Sequence, residues 1–342
     1  MNYRIAGTAG LHPRRTLRLV QLIASKCDSR CDLGCLWALV ASWCLCLSVW
    51  GCSSTVRTGR AHRADISTSL QEAPLVGTQE VIVRYRSTSE EPITTLVLTL
   101  TVPDGPGPFP VILLNHGSPR SAKSRRRKAA YPTATRWFLS RGFAVVIPNR
   151  RGYGGSDGPY AEGFGPCEAP NYLRAGKATA ADIGVVLQWL ATRPWVQRGQ
   201  VVVAGASAGG WGALAVAGQP FQDVAGVINF AGGRGSPRDG FNCGPDQLVS
   251  ASRIFGREAR VPSLWLYSTN DPYFPPSLAQ QMYRAFVSES RPSATFLMLP
   301  EFMENGHALL SSERGPSGWS KAVDEFLVGL FRPPESESDT RQ

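Results

Sequence analysis

"VVVAGASAGGWGALAVAG", Val201 to Gly218, reads in two halves. Val201 to Ala204 are apolar and mostly β-branched, the composition of a strand buried on both faces. Beyond Gly205 the side chains become small, and a helix pattern begins with no spacer. Ser207 stands at the join, in the pattern G-x-S-x-G. A nucleophilic serine on such a turn is held in a strained backbone conformation. Neighbours as small as Gly205, Ala206, Ala208 and Gly209 are what the turn admits. The helix start then directs free N–H groups and positive dipole toward the serine. A Gly-rich phosphate-binding turn is the competing reading. It lacks the P-loop lysine, and the third glycine of a dinucleotide fingerprint is not at its spacing.

The same pattern occurs once more, as "GGSDG" at Gly154 to Gly158. Ser156 comes eight residues after Pro148, and the Gly/Pro-rich "DGPYAEGFGPCEAPNY" beyond it starts no helix. Ser156 reads as a turn residue, and Ser207 as the reactive serine.

Outward from Ser207, short apolar runs alternate with helical patterns. Strands are expected at 80–86, 93–103, 110–117, 143–148, 201–205, 224–233, 262–269 and 294–300. Helices are expected at about 129–140, 175–192, 275–289 and 318–331, besides the one after Ser207. An irregular insertion fills 234–260. The pattern specifies an α/β fold: a mostly parallel eight-stranded sheet with helices on both faces, opened by an antiparallel pair. In such sheets, sites form at the carboxyl ends of strands.

A serine needs a base, itself oriented by an acid. The body of the chain offers His62, His116 and His307. Only His307, in "ENGHALL", lies downstream of Ser207 after a strand, and Asp271, in "STNDPYF", ends the strand before. The expected catalytic set is Ser207, Asp271 and His307. His116 is expected to be structural. Trp211, one helical turn past Ser207, is expected in the core.

Whole-chain composition narrows the function classes. Net charge is +10, yet residues 1–52 carry six Lys/Arg against two acids, and "RSAKSRRRK" at Arg120 to Lys128 supplies six more positive charges. Basicity this local excludes a nucleic-acid-binding face spread over the surface. The run reads as a solvated loop, with attraction of anionic substrates or an anionic surface as the sharper alternative. Residues 1–52 place a basic stretch before an uncharged apolar one, the layout of an export signal or a retained membrane anchor; a misplaced start is the alternative. "SVWGC", Ser48 to Cys52, resembles a lipoprotein box, which makes Cys52 a candidate for lipidation. The protein is therefore expected to be exported, periplasmic or membrane-anchored. Residues 53–75 read as a tether, 76–331 as one catalytic domain, and 332–342 as a disordered tail. Six cysteines lie in the leader. Cys167 and Cys243, each in a Gly/Pro-rich loop, are the candidates for a disulfide, with two free thiols as the alternative.

These stretches together resemble the α/β-hydrolase superfamily over about residues 80–331. "LLNHGSP" looks like the strand-end turn that supplies one oxyanion donor, and the resemblance assigns that role to the Ser118 backbone N–H. Ala208, just after the nucleophile, supplies the second. "IPNRRGYGGSDG" looks like the family's R-G-x-G-x-S-x-G loop, which accounts for Ser156. The nearest likeness is to exported dienelactone-hydrolase-like proteins and to the catalytic domain of prolyl oligopeptidases. Dienelactone hydrolases carry cysteine where Ser207 stands, and the segment before residue 60 is too short for the oligopeptidases' propeller. The resemblance implies a serine hydrolase of small carboxylic esters needing no metal or organic cofactor. A peptidase, or a non-catalytic envelope binding protein on the same fold, is the alternative.

Overall fold

The computed structural model describes residues 65–68 and 77–331. Its central strands carry runs of consecutive apolar residues because both faces of the sheet are covered. In the strand Phe109–Asn115, Val111 and Leu113 enter one core while Ile112 and Leu114 enter the other. In Val196–Ala206 the split repeats, with Val201 and Val203 on one side and Val202 and Ala204 on the other. A side-chain period of two, filled on both faces, is what a central parallel strand requires.

In chain order the strands are β1 (Asp65–Thr68), β2 (Thr78–Arg86), β3 (Thr94–Thr101), β4 (Phe109–Asn115), β5 (Ala144–Asn149), β6 (Val196–Ala206), β7 (Val224–Phe230), β8 (Ser263–Ser268) and β9 (Ala294–Leu299). They form one sheet in the order β1-β2-β3-β5-β4-β6-β7-β8-β9. The β1–β2, β2–β3 and β3–β5 pairs are antiparallel, and all later pairs are parallel. The eight expected strands are present in a mixed, mostly parallel sheet. The short ninth, β1, lies inside the stretch read as a tether.

The helices are α1 (Ala122–Arg125), α2 (Pro132–Leu139), α3 (Tyr172–Leu190), α4 (Ala208–Val216), α5 (Pro245–Glu258), α6 (Pro276–Val287) and α7 (Gly315–Phe331). Ile183 of α3, Trp211 of α4, Leu248 of α5 and Met282 of α6 share one core; Phe138 of α2 and Trp319 of α7 share the other. The insertion at 234–260 is not irregular, because α5 occupies more than half of it. Leu248, Ala251, Ser252 and Phe255 make its buried stripe, and Ser252 Oγ donates to the Met282 carbonyl of α6 at 2.7 Å.

Strand order reverses at β4: the chain steps from β4 to β5 in one direction and from β5 to β6 in the other. Loops leaving β4 and β6 therefore diverge and open a crevice at the strands' carboxyl ends. Asn115 pairs with Gly205 at that end, so His116-Gly117-Ser118 and Ser207 leave the sheet side by side. No described helix is long and apolar enough to cross a membrane. The leader through residue 52 with Cys52, most of the tether including His62, and the tail from residue 332 lie outside the described residues.

Candidate active site

Ser207 sits between β6 and α4 at φ 52° and ψ −120°. Few non-glycine residues adopt a positive φ, and holding one there costs roughly 1–3 kcal/mol. The surroundings leave little choice. A Cβ on Gly205 would lie 2.4 Å from the Gly209 carbonyl carbon, and one on Gly209 would lie 2.3 Å from the Asn115 carbonyl oxygen. The turn is pinned through the Ser207 N–H to the Phe230 carbonyl at 3.0 Å, and through the Ser207 carbonyl to the N–H groups of Trp211 and Gly233. Ser207 Oγ takes part in none of the described hydrogen bonds.

Ser156 contrasts at each point. Its Oγ accepts from the Val97 N–H at 2.8 Å and donates to the Asn149 carbonyl, tying the loop after β5 to β3. It does not border the cavity that Ser207 faces.

His307 lies in a single 3₁₀ turn, Gly306–Ala308, after β9, and borders that cavity with Ser207. Its Nδ1 is 3.0 Å from Asp271 Oδ2. The other carboxylate oxygen accepts from the N–H groups of Tyr273 and Phe274 at 2.8 and 3.0 Å. Asp271 is thus fixed by its own turn after β8 and holds the proton on Nδ1, leaving the Nε2 lone pair free. The Tyr273 ring meets His307 edge-on with centroids 4.5 Å apart.

Gly117 and Ser118 border the cavity beside Ser207. A Cβ on Gly117 would lie 3.2 Å from Ser207 Cβ, so the two turns are packed together. The N–H groups of Ser118 and Ala208 donate to no acceptor among the described residues. His116 is spent on structure: Nδ1 bonds the Gly117 carbonyl at 2.7 Å, and Nε2 accepts the Arg150 N–H at 3.3 Å. Burial, reinforced by the Arg150 charge, pulls its pKa down to about 3. Trp211 is fully buried, donates to the Tyr172 carbonyl at 2.9 Å and packs on Phe255.

Sequence reasoning missed what stands behind this turn. Glu162 is fully buried between Arg150 and Arg234 and forms ion pairs with both. Burial works against its charge, but the two guanidinium groups outweigh it and hold the carboxyl well below the usual range. The Tyr153 hydroxyl joins the cluster to the turn, lying 2.8 Å from Ser118 Oγ and 3.1 Å from Glu162 Oε2. Arg234 also donates to Thr179 Oγ1 at 2.7 Å. The only signals were an isolated acid in a Gly-rich loop and an arginine just after a strand.

The cavity has a volume of about 900 Å³, at the upper end of small-molecule sites. Phe164 and the segment Gly233–Pro237 form part of its wall. A Cys167–Cys243 disulfide, with Cα atoms 4.9 Å apart, joins the loops that carry them. The basic run at 120–128 is an exposed loop except at Arg125, and through Arg120, Arg125, Arg127 and Lys128 it also borders the cavity.

The model of the X-Pro dipeptidyl-peptidase family (S15 family) matches residues 94–256, just under half of the chain. That span includes Ser207 and stops short of Asp271 and His307. No curated protein sequence matches. Acetyl xylan esterase from Paenibacillus sp. R4 superposes with a TM-score of 0.53 at 18% identity, over 78% of this chain and 88% of its own. The acetyl xylan esterase 1 of Thermoanaerobacterium sp. JW/SL YS485 gives 0.52 at 15% identity over the same shares. Pyrococcus horikoshii acylaminoacyl peptidase gives 0.52 at 14% identity, over 78% of this chain but 44% of its own. With the strand order, the reversal at β4 and the sharp turn at Ser207, these likenesses show that the chain has the α/β-hydrolase fold.

Proposed function

We propose that the protein is a serine hydrolase of carboxylic esters working through Ser207, His307 and Asp271. The observation that carries this reading is a strained serine with an unbonded Oγ on the same cavity as a histidine whose Nδ1 is held by a carboxylate. Ser207 Oγ attacks the ester carbonyl as His307 Nε2 takes its proton. The Ser118 and Ala208 N–H groups receive the oxyanion, and the imidazolium returns the proton to the departing alcohol. Water, deprotonated by the same nitrogen, then cleaves the acyl-enzyme to release the acid. One water is consumed, and one acid and one alcohol are formed. His307 and Ser207 share no hydrogen bond here, and such contacts commonly tighten only once substrate is bound.

Peptide hydrolysis is the second reading, favoured by the S15 match and the acylaminoacyl peptidase likeness. An X-Pro dipeptidyl-peptidase must accept a charged peptide amine. Among the described residues, no Asp or Glu borders this cavity, whereas five Arg and Lys side chains do. That charge balance supports an ester substrate. We also propose export from the cell, on the leader pattern of residues 1–52 and on the disulfide, which persists in oxidising compartments. Attachment to the membrane through the same segment, including lipidation at Cys52, belongs to this proposal.

The test is intact-mass analysis after treatment with a fluorophosphonate, with peptide mapping of the adduct. One adduct is expected on Ser207, lost in Ser207→Ala and in His307→Ala. An adduct on Ser156 would reverse the choice of serine. Folded protein that takes no adduct would make this a non-catalytic binding protein. Parallel turnover of an ester and its matched amide separates the esterase from the peptidase.

A further inference from the structure

The loop after the oxyanion turn, Pro119 to Lys128, is the most basic stretch of the described chain, and it lies along the reactive cavity rather than away from it. Of the five cationic side chains there, three already have carboxylate partners: Arg234 with Glu162, Arg120 with Asp239 and Lys128 with Glu80. Arg125 and Arg127 have none among the described residues. Among the described residues, the cavity lining therefore holds two positive side chains without a carboxylate partner and no Asp or Glu.

Arg125 is the better placed of the two. It is partly buried, and its guanidinium carbon lies 4.4 Å over the centre of the Tyr160 ring. The Tyr160 hydroxyl reaches 3.4 Å from Ser118 Oγ, so one tyrosine separates this guanidinium from the oxyanion turn. The Arg125 guanidinium N–H donors make none of the hydrogen bonds among the described residues. A guanidinium positioned by a ring contact, with its donors unused, can make two parallel hydrogen bonds to a carboxylate. Arg120 makes the matching arrangement near the base: it lies 4.8 Å over Tyr273, whose edge meets His307. Its charge, however, is taken by Asp239 at 2.7 Å.

We propose that the substrate is an ester bearing a carboxylate, and that Arg125, assisted by Arg127, is the seat of that carboxylate. This rests on the serine hydrolase reading of the same site. The seat contributes binding and orientation, while the ester itself is cleaved at Ser207.

The experiment compares kcat/KM within two matched pairs at low salt. One pair differs on the acyl side, 4-nitrophenyl hemiglutarate against 4-nitrophenyl pentanoate. The other differs on the alcohol side, 4-(butanoyloxy)benzoate against 4-(butanoyloxy)benzamide. A charge-assisted bidentate contact favours the anionic member of one pair by roughly 10- to 100-fold. Arg125→Gln reduces that ratio toward one, and Arg125→Glu inverts it. Arg126→Glu makes the same charge change on a residue outside the cavity and retains the preference. A ratio of one or less in both pairs, with the neutral esters turned over, overturns the carboxylate seat and leaves the esterase standing. Equal loss of preference in Arg126→Glu and Arg125→Glu also overturns it, since a diffuse field would then be acting. Folded protein that cleaves none of the four esters sinks the hydrolase reading, and this one with it.

Discussion

His116 and His307 border the same cavity, and each meets a tyrosine edge-on with ring centroids 4.5 Å apart. Their packing is nearly the same, but their bonding is opposite. Both nitrogens of His116 are used by backbone groups, and the cationic Arg150 acts on the ring more strongly than the Glu162 carboxylate does. His307 gives Nδ1 to a carboxylate and keeps Nε2 clear of the protein. A general base needs a free lone pair and a partner that welcomes the positive charge it acquires. His116 has neither, and its ring serves instead as a strut between β4 and the loop after β5.

The sharpest way to break this comparison is to remove each ring in turn. His307→Ala is expected to lower kcat/KM for a nitrophenyl ester by 10⁴-fold or more, roughly the loss seen on deleting a triad base. His116→Asn, which keeps a donor for the Gly117 carbonyl, is expected to cost less than about tenfold. If steady-state assays gave the two variants similar losses, the division of roles would be wrong.

A smaller effect appears in stability against pH. His116 and Glu162 both carry folded-state pKa values below their ordinary ones, so the unfolded chain binds more protons as pH falls. Stability is fully present above pH 6.5. The His116 share is lost from there toward pH 3, and the Glu162 share from about 4.5 downward. Urea unfolding at a series of pH values should lose on the order of 2 kcal/mol between pH 6.5 and 4.5. His116→Asn should flatten that interval and leave the fall below pH 4.5. An unchanged slope in the variant would place the acid sensitivity elsewhere.

The smallest effect separates the two tyrosines. The Tyr153 hydroxyl bonds Ser118 and Glu162, whereas the Tyr273 hydroxyl makes none of the described hydrogen bonds. Tyr153→Phe should cost about 1 kcal/mol or more in urea unfolding, and Tyr273→Phe no more than about 0.5 kcal/mol. Equal values would mean that both rings act only through their edges.

What sequence could convey depended on how local each feature is. The turn at Ser207 was legible because its glycines and alanines answer to atoms within a few residues or on the adjacent strand, and small side chains are visible as letters. Ser156 could be set aside for the same reason: the glycines and prolines after it cannot start a helix. Asp271 and His307 were legible as the acid and the histidine after two consecutive strands. Helix α5 was not, although Leu248, Ala251 and Phe255 keep helical spacing, because a flank rich in glycine and proline masked it and its stripe is short. The Glu162 cluster was invisible, since its partners lie 12 and 72 residues away and no local pattern announces an ion pair across such gaps. The basic run was legible as charge. Its direction was not, because that depends on where β4 ends.

The bond between Cys167 and Cys243 spans a sequence separation of 76, closing a ring that contains α3, β6, α4 and β7. Ser207 and Ala208 are inside that ring, while Ser118, Asp271 and His307 are outside it. A protease cutting once within the ring, at the turn before β6 for example, would open the ring without detaching anything. The nicked chain would still weigh one molecule plus one water and migrate as one species until a reductant was added. The segment bearing Ser207 is in this sense tied at both ends, and a single cut cannot free it.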